Sequence, residues 1–253
     1  MAGRRGNWAN NRFRFRRFLI CGLQVRVLLG APDINNTTIA GRVLFGANVM
    51  NLQELEHIVK GILAKPEMRI GVQKYCELLH LFRDINVATN EEYQSLYRDF
   101  YRTNLALIRC KNFETEYFTV LERWKNSTYF DSKKIFDDVC DINGDCEISF
   151  GSKILHNLDT EYPIWDSVVT IQHFGFRQVP GNKEKTWNKY LNYKDAFERY
   201  VQSTEGQKII DLFDKRFPDN HISDVKKVDF VLWQDRESQI SIPDEFCGCR
   251  RKK

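Results

Sequence analysis

The feature that most limits what this chain can fold into is a spacing. From Leu52 onward apolar side chains recur at steps of three and four, and no alternation at steps of two is sustained after Met50. A helix turning once every 3.6 residues gathers such positions on one face, whereas a strand needs the shorter period. Leu52, Leu55, Ile58, Val59, Ile62 and Leu63 therefore predict one helix, and residues 72–82 a second. A third is expected over 91–108, where Tyr93, Leu96, Tyr97, Phe100, Tyr101 and Leu105 share a face, and a fourth over 113–124. The expected fold class is all-α.

Helix boundaries are legible further along. Asp131 is placed to cap a helix ending near Ile142, Asn143-Gly144-Asp145 reads as a turn, and 147–158 resumes as helix. After Tyr162-Pro163-Ile164-Trp165, Asp166 can cap a helix through Phe174, which Gly175 would end. Helices are also expected over 187–201, 205–217 and 223–233. No internal repeat of fixed spacing is present.

Residues 1–49 differ: Arg-rich, then Val/Leu-rich, then Asn/Thr/Gly-rich, without helical period. They read as an irregular basic N-terminal extension or arm, and a tag, an upstream extension and an uncertain start codon all remain open as explanations. The main domain is expected over 50–240, followed by a basic tail over 241–253 with a disordered end. The formal charge of +4 permits an anionic partner without requiring one. Seven scattered cysteines do not form a secreted disulfide framework, which favours a reducing, cytoplasmic setting. Cys247-Gly248-Cys249 lacks the neighbours an iron–sulfur cluster or zinc would need, so neither cofactor nor metal is expected. The apolar run 18–29 is broken by Gln24 and Arg26, so no membrane span is expected.

One segment carries chemistry. The stretch from Ser149 through Gly151, Lys153 and Ile154 to Tyr162-Pro163-Ile164-Trp165-Asp166 resembles the active-site segment of the helix-hairpin-helix DNA glycosylase superfamily, especially its adenine-excising branch. The resemblance implies a two-lobed helical domain in which Gly151 matches a small residue of the second hairpin helix. It implies that Asp166 faces the sugar of a flipped-out nucleotide, stabilises positive charge at the anomeric carbon and helps position water. Bifunctional members carry a lysine where Ser149 stands, so the resemblance implies a monofunctional enzyme. Lys153, four residues on along the same helix, is either a displaced amine nucleophile or a surface or phosphate-binding lysine. The sequence departs from the family at the hairpin, where Asp145, Cys146 and Glu147 replace the glycine-rich turn that grips a DNA phosphate.

Other assignments follow around this segment. Trp165, Tyr162, Phe100, Tyr101 and His156 are candidates for contact with the base, and Arg98, Arg102, Arg109, Lys226 and Lys227 for contact with the DNA backbone. Each has a plainer reading: Asp166 as an ordinary helix cap, Trp165 as a core anchor, the arginines as snorkelling side chains of an amphipathic helix. His156 and His173 are equally compatible with acid–base work and with packing. Asp229, amid apolar residues, is either paired with a lysine or placed at a cleft. The expectation is a monomeric, monofunctional DNA N-glycosylase acting on a modified or damaged base in repair or in defence against modified phage DNA. The alternative is a non-catalytic helical module that binds nucleic acid or protein.

Overall fold

A computed structural model describes residues 50–103, 111–143, 146–177 and 182–248. Among these, all regular structure is helical. None of the described helices is long and apolar enough to cross a membrane.

The first two helices, α1 (Leu52–Leu63) and α2 (Pro66–Asp84), are separated by a two-residue break. Asn51 opens α1 by accepting the Glu54 amide at 2.8 Å. Helix α2 starts earlier than the apolar spacing suggests, because Pro66 occupies its first turn, where a missing N–H costs nothing. Helix α3 (Glu91–Tyr101) starts on an Asn90 cap and ends sooner than expected: Arg102 adopts a left-handed conformation, φ 51 and ψ 41, and stops it. The rest of that expected helix, with Leu105 and Arg109, lies outside the described residues.

Helices α4 (Lys111–Lys125), α5 (Ser132–Asn143) and α6 (Ile148–Leu158) follow, then α7 (Lys183–Val201), α8 (Thr204–Arg216) and α9 (Asp224–Gln234). Asp131 caps α5 as expected, its Oδ1 accepting the Lys134 amide at 3.0 Å. The segment after Asp166 is helical but not α-helical: Val168–His173 forms a wider π turn, with the Phe174 amide reaching back to the Val169 carbonyl at 3.2 Å. Gly175, at φ 67, ends it. Residues 1–49 and the end of the basic tail lie outside the described residues.

The antiparallel pair α5 and α6 packs most extensively of all helix pairs. Gly151 makes this possible, since a Cβ there would meet the Phe136 ring at 2.5 Å. Cys140 and Cys146, at the facing ends of the pair, are joined in a disulfide with Cα atoms 4.3 Å apart. The cysteine pattern had pointed away from such a bridge; only six residues apart, Cys140 near the end of α5 and Cys146 just before α6 lie within bonding reach.

Helix α6 runs through the middle of the domain. Every residue from Gly151 to Asn157 is buried, the polar ones included. Helix α9 is almost as enclosed, packed by α1, α7, α8 and the π turn. A helix buried on all sides must satisfy its polar side chains internally. These two helices supply Lys153, Lys226 and Asp229 to the candidate site.

Candidate active site

The site begins with how the extended segment before Asp166 is held. Pro163, Ile164 and Trp165 are buried, so their backbone groups need partners inside the protein. Tyr190 of α7 donates its phenol to the Pro163 carbonyl at 2.9 Å, and Tyr193 donates to the Ile164 carbonyl at 3.1 Å. From the other side, Ser152 of α6 accepts the Trp165 amide at 2.9 Å. Asp166 then closes its own turn: its Oδ1 accepts the Val168 amide at 2.8 Å, and its carbonyl accepts the Thr170 amide and hydroxyl. The carboxylate is half-buried, with its orientation set by the cap.

Asp166 lines a cavity together with Phe100, Tyr101, Lys153, Ile164, Lys226, Asp229, Phe230 and Trp233. The cavity encloses about 400 Å³ of empty space counted out to its mouth, and only a small part of that is open between the side chains. That is room for water rather than for a heterocycle, so a larger occupant requires a wall to move. Phe100 and Trp233 also border an open groove of about 990 Å³, counted out to its mouth in the same way, lined by Ile70, Lys74 and Arg102 among others. The two rings thus stand between cavity and groove. Trp233 is only half-buried, with the guanidinium carbon of Arg102 5.2 Å from its ring centroid and that of Arg236 4.3 Å away.

Two buried lysines and two aspartates set the electrostatics. Lys153 is 5 % exposed, and its ammonium donates to the Ser149 carbonyl at 3.2 Å and to the Ser149 hydroxyl. Burial pulls its pKa down to about 8, with Asp166 opposing that shift and Lys226 adding to it. Lys226 reaches Asp229 Oδ2 at 2.6 Å, and rings of Phe230, Phe100 and Tyr75 surround its ammonium at 4.7, 5.2 and 5.2 Å. Burial also raises the pKa of Asp229, against the pull of Lys226. Asp229 is therefore both things the sequence left open, paired with a lysine and placed in a cleft wall.

Of the residues singled out by sequence, Phe100, Tyr101, Lys153, Asp166 and Lys226 come together in the cavity wall. Ser149 stands behind it as the partner of Lys153. Trp165 is packed edge-on against Tyr193, ring centroids 5.2 Å apart, and lies outside the lining. Tyr162 packs on Phe130 and under the Lys194 ammonium. His156 is buried, and its Nδ1 faces the Tyr162 carbonyl at 2.8 Å while Nε2 faces the Tyr75 hydroxyl at 2.8 Å. A carbonyl only accepts, so Nδ1 carries the proton and Nε2 accepts from Tyr75. Burial drops the His156 pKa to about 3, which keeps the ring neutral and makes it a strut rather than an acid or base near pH 7.

The candidate phosphate contacts are mostly engaged within the protein. Arg98 pairs with Glu114, and Lys227, largely buried, pairs with Asp214 at 2.9 Å and Asp224 at 3.0 Å. Arg102 lies over Trp233 on the groove side. Arg109 lies outside the described residues. No group of three or more metal-ligating side chains occurs among the described residues.

Sequence reasoning named Lys226 and Asp229 singly but missed the stripe they form with Phe230 and Trp233 on α9. Lys226, Asp229, Phe230 and Trp233 fall at steps of three, one and three, one face of a helix, and all four line the cavity. The available signal was a Lys–Asp pair inside an otherwise apolar run, continued at helical spacing by two aromatic residues.

Compared with known proteins, the chain matches no family model, no curated protein and no solved structure.

Proposed function

We propose that the protein is a DNA N-glycosylase of the two-lobed helix-hairpin-helix type, hydrolysing the bond between deoxyribose and a modified or damaged base. The observation that carries this reading is the position of Asp166 in the wall of a cavity that it shares with aromatic rings and two buried lysines. A base turned out of a duplex would enter by displacing the Trp233 and Phe100 rings that stand between groove and cavity, and would lie against the aromatic wall. The sugar would remain at the mouth, where Asp166 opposes the positive charge that grows at the anomeric carbon as the base departs. Water then adds to that carbon, and the product is an abasic site.

Asp166 suits this role because its cap and the Tyr190, Tyr193 and Ser152 bonds hold it before the substrate arrives, so little reorganisation is needed when charge develops. Lys153 supports a variant of the same chemistry. Its pKa near 8 leaves an appreciable neutral fraction at mildly alkaline pH, and a neutral amine can displace the base in place of water.

The test is incubation of the full chain with duplexes carrying a panel of modified bases, followed by alkali to break the strand at abasic sites. The reading expects breaks on at least one substrate, lost by a hundredfold or more in Asp166→Asn. No breaks on any substrate, or equal breaks from the variant, overturns it. Borohydride separates the two nucleophiles: it traps a cross-link if Lys153 attacks and none if water does.

A second reading is favoured by the hairpin. The exposed Glu147 and the Cys140–Cys146 bridge occupy the place where the resembling family holds a phosphate. In that reading the scaffold binds nucleic acid or a partner protein without cutting. It expects binding that Asp166→Asn leaves unchanged, with strong salt dependence if the ligand is nucleic acid.

A further inference from the structure

Asp229 has an oxygen to spare. Its Oδ2 takes the Lys226 ammonium at 2.6 Å, while its Oδ1 is buried with no hydrogen-bond partner. A buried acceptor left empty is unfavourable, and a folded protein rarely keeps one without a use. Lys226 is fixed among the rings of Tyr75, Phe100 and Phe230, and both residues are on the enclosed helix α9. Asp229 is also part of the cavity wall, flanked by Phe230 and Trp233 on its own helix and faced by Phe100 and Tyr101 from α3.

We infer that Asp229 is the specificity-determining residue of this cavity, accepting a hydrogen bond from an N–H on the edge of a flat base, with Lys226 beside it to serve a neighbouring acceptor. The occupant is then a base whose edge presents a donor next to an acceptor, as the amine and ring nitrogen of cytosine do, or the imino N–H and carbonyl of uracil. A ring presenting only acceptors there would face two oxygen lone pairs and is rejected. A site built to receive a polar group discriminates strongly against an analogue lacking it. This inference rests on reading the cavity as a base pocket. It adds what the base must carry, and gives Asp229 a role apart from that of Asp166.

The experiment uses N-methylated free bases, in which a methyl group stands for the sugar, titrated into the full chain and followed by tryptophan fluorescence or ligand-observed NMR. One pair is 1-methylcytosine against 1-methylpyrimidin-2-one, which lacks the amine. The other is 1-methyluracil against 1,3-dimethyluracil, whose imino N–H is blocked. The expected result is about tenfold or greater preference for the donor-bearing member of at least one pair. In Asp229→Asn the amide oxygen is drawn to Lys226 and the NH₂ group is left toward the occupant, so the preference should vanish or reverse. Equal affinity within both pairs, undetectable binding of all four, or a preference that survives Asp229→Asn would each overturn the inference. The ligand comparison on the unaltered protein stands even if the variant does not fold. Failure of excision with the preference intact leaves a base pocket without the hydrolytic step, and excision without preference removes Asp229 alone.

Discussion

The phenol of Tyr193 donates a 3.1 Å hydrogen bond to the carbonyl of Ile164, two residues before Asp166. Tyr193 is fully buried, its ring wedged among Trp165, Phe174, Phe176 and Phe197, so the bond is made from a fixed point. It ties the segment that presents the carboxylate to the longest helix of the second half of the domain, α7. The placement of Asp166 is thus a property of the aromatic core as much as of its own loop.

Tyr193→Phe keeps the ring and removes the donor. The Ile164 carbonyl is left buried without that partner, which should lower stability by about 1–2 kcal/mol. Chemical denaturation measures this, and excision by the same variant should fall in kcat more than it rises in KM, because Asp166 is misplaced rather than lost. Unchanged stability and unchanged excision would mean that the bond does not position the carboxylate.

Gly151→Ala tests the crossing of α5 and α6. The added methyl would sit 2.5 Å from the ring of Phe136, which is itself fully buried and packed against Trp187 and Tyr190. The ring cannot retreat freely, so we expect a loss of about 1–3 kcal/mol by denaturant titration. A neutral or stabilising effect, as helix propensity alone would give, would show that the two helices have slack between them.

Lys153 should destabilise the fold for as long as it is charged. Its pKa is about 8 in the folded protein against an ordinary 10.5, so below pH 8 both states hold the proton and the folded state carries a penalty of about 3 kcal/mol. Between pH 8 and 10.5 the unfolded chain binds more protons, and stability rises with pH until the penalty is gone. Lys153→Met should therefore be more stable relative to the unaltered protein at pH 7 than at pH 10.5, by about the same 3 kcal/mol. A stability difference between the two proteins that stays constant over that interval would show that the amine is not desolvated.

His156 works in the opposite pH window. Its pKa falls from 6.5 to about 3 on folding, so its contribution is complete above pH 6.5 and drains away as the pH drops toward 3. Over pH 6.5 to 4 the loss amounts to about 3 kcal/mol. His156→Gln does not titrate, so its deficit relative to the unaltered protein should shrink by that amount across this range, as read by thermal or chemical unfolding at each pH. Parallel curves would contradict a neutral, buried imidazole.

Much of this architecture could be read from residues alone, and the reasons are local. Asn51, Asn90, Ser203 and Ser223 each precede an apolar periodic run and cap a helix through their side chains. Asp166 was legible for the same reason. The side of the cavity formed by α9 was not. In α9 every residue from Val225 to Leu232 is buried, so no polar face marks which side meets solvent and which meets a cleft. The roles of Trp165 and Phe100 also depend on packing that no spacing encodes: one turns into the core and the other into the cavity wall. The Cys140–Cys146 bridge escaped because an odd, scattered cysteine count argued against pairs, while the packing of α5 against α6 brings one pair within reach.

The most direct measurement needs no knowledge of the target base. Duplexes carrying a cationic pyrrolidine in place of one nucleotide's sugar imitate the charge of the departing transition state, and duplexes carrying neutral tetrahydrofuran imitate its shape alone. If Asp166 stabilises positive charge at the anomeric carbon, the full chain should bind the pyrrolidine duplex about a hundredfold more tightly, and Asp166→Asn should bind the two alike. Equal affinity of the unaltered protein for both duplexes, or a preference for the cation that persists in Asp166→Asn, would contradict the assignment.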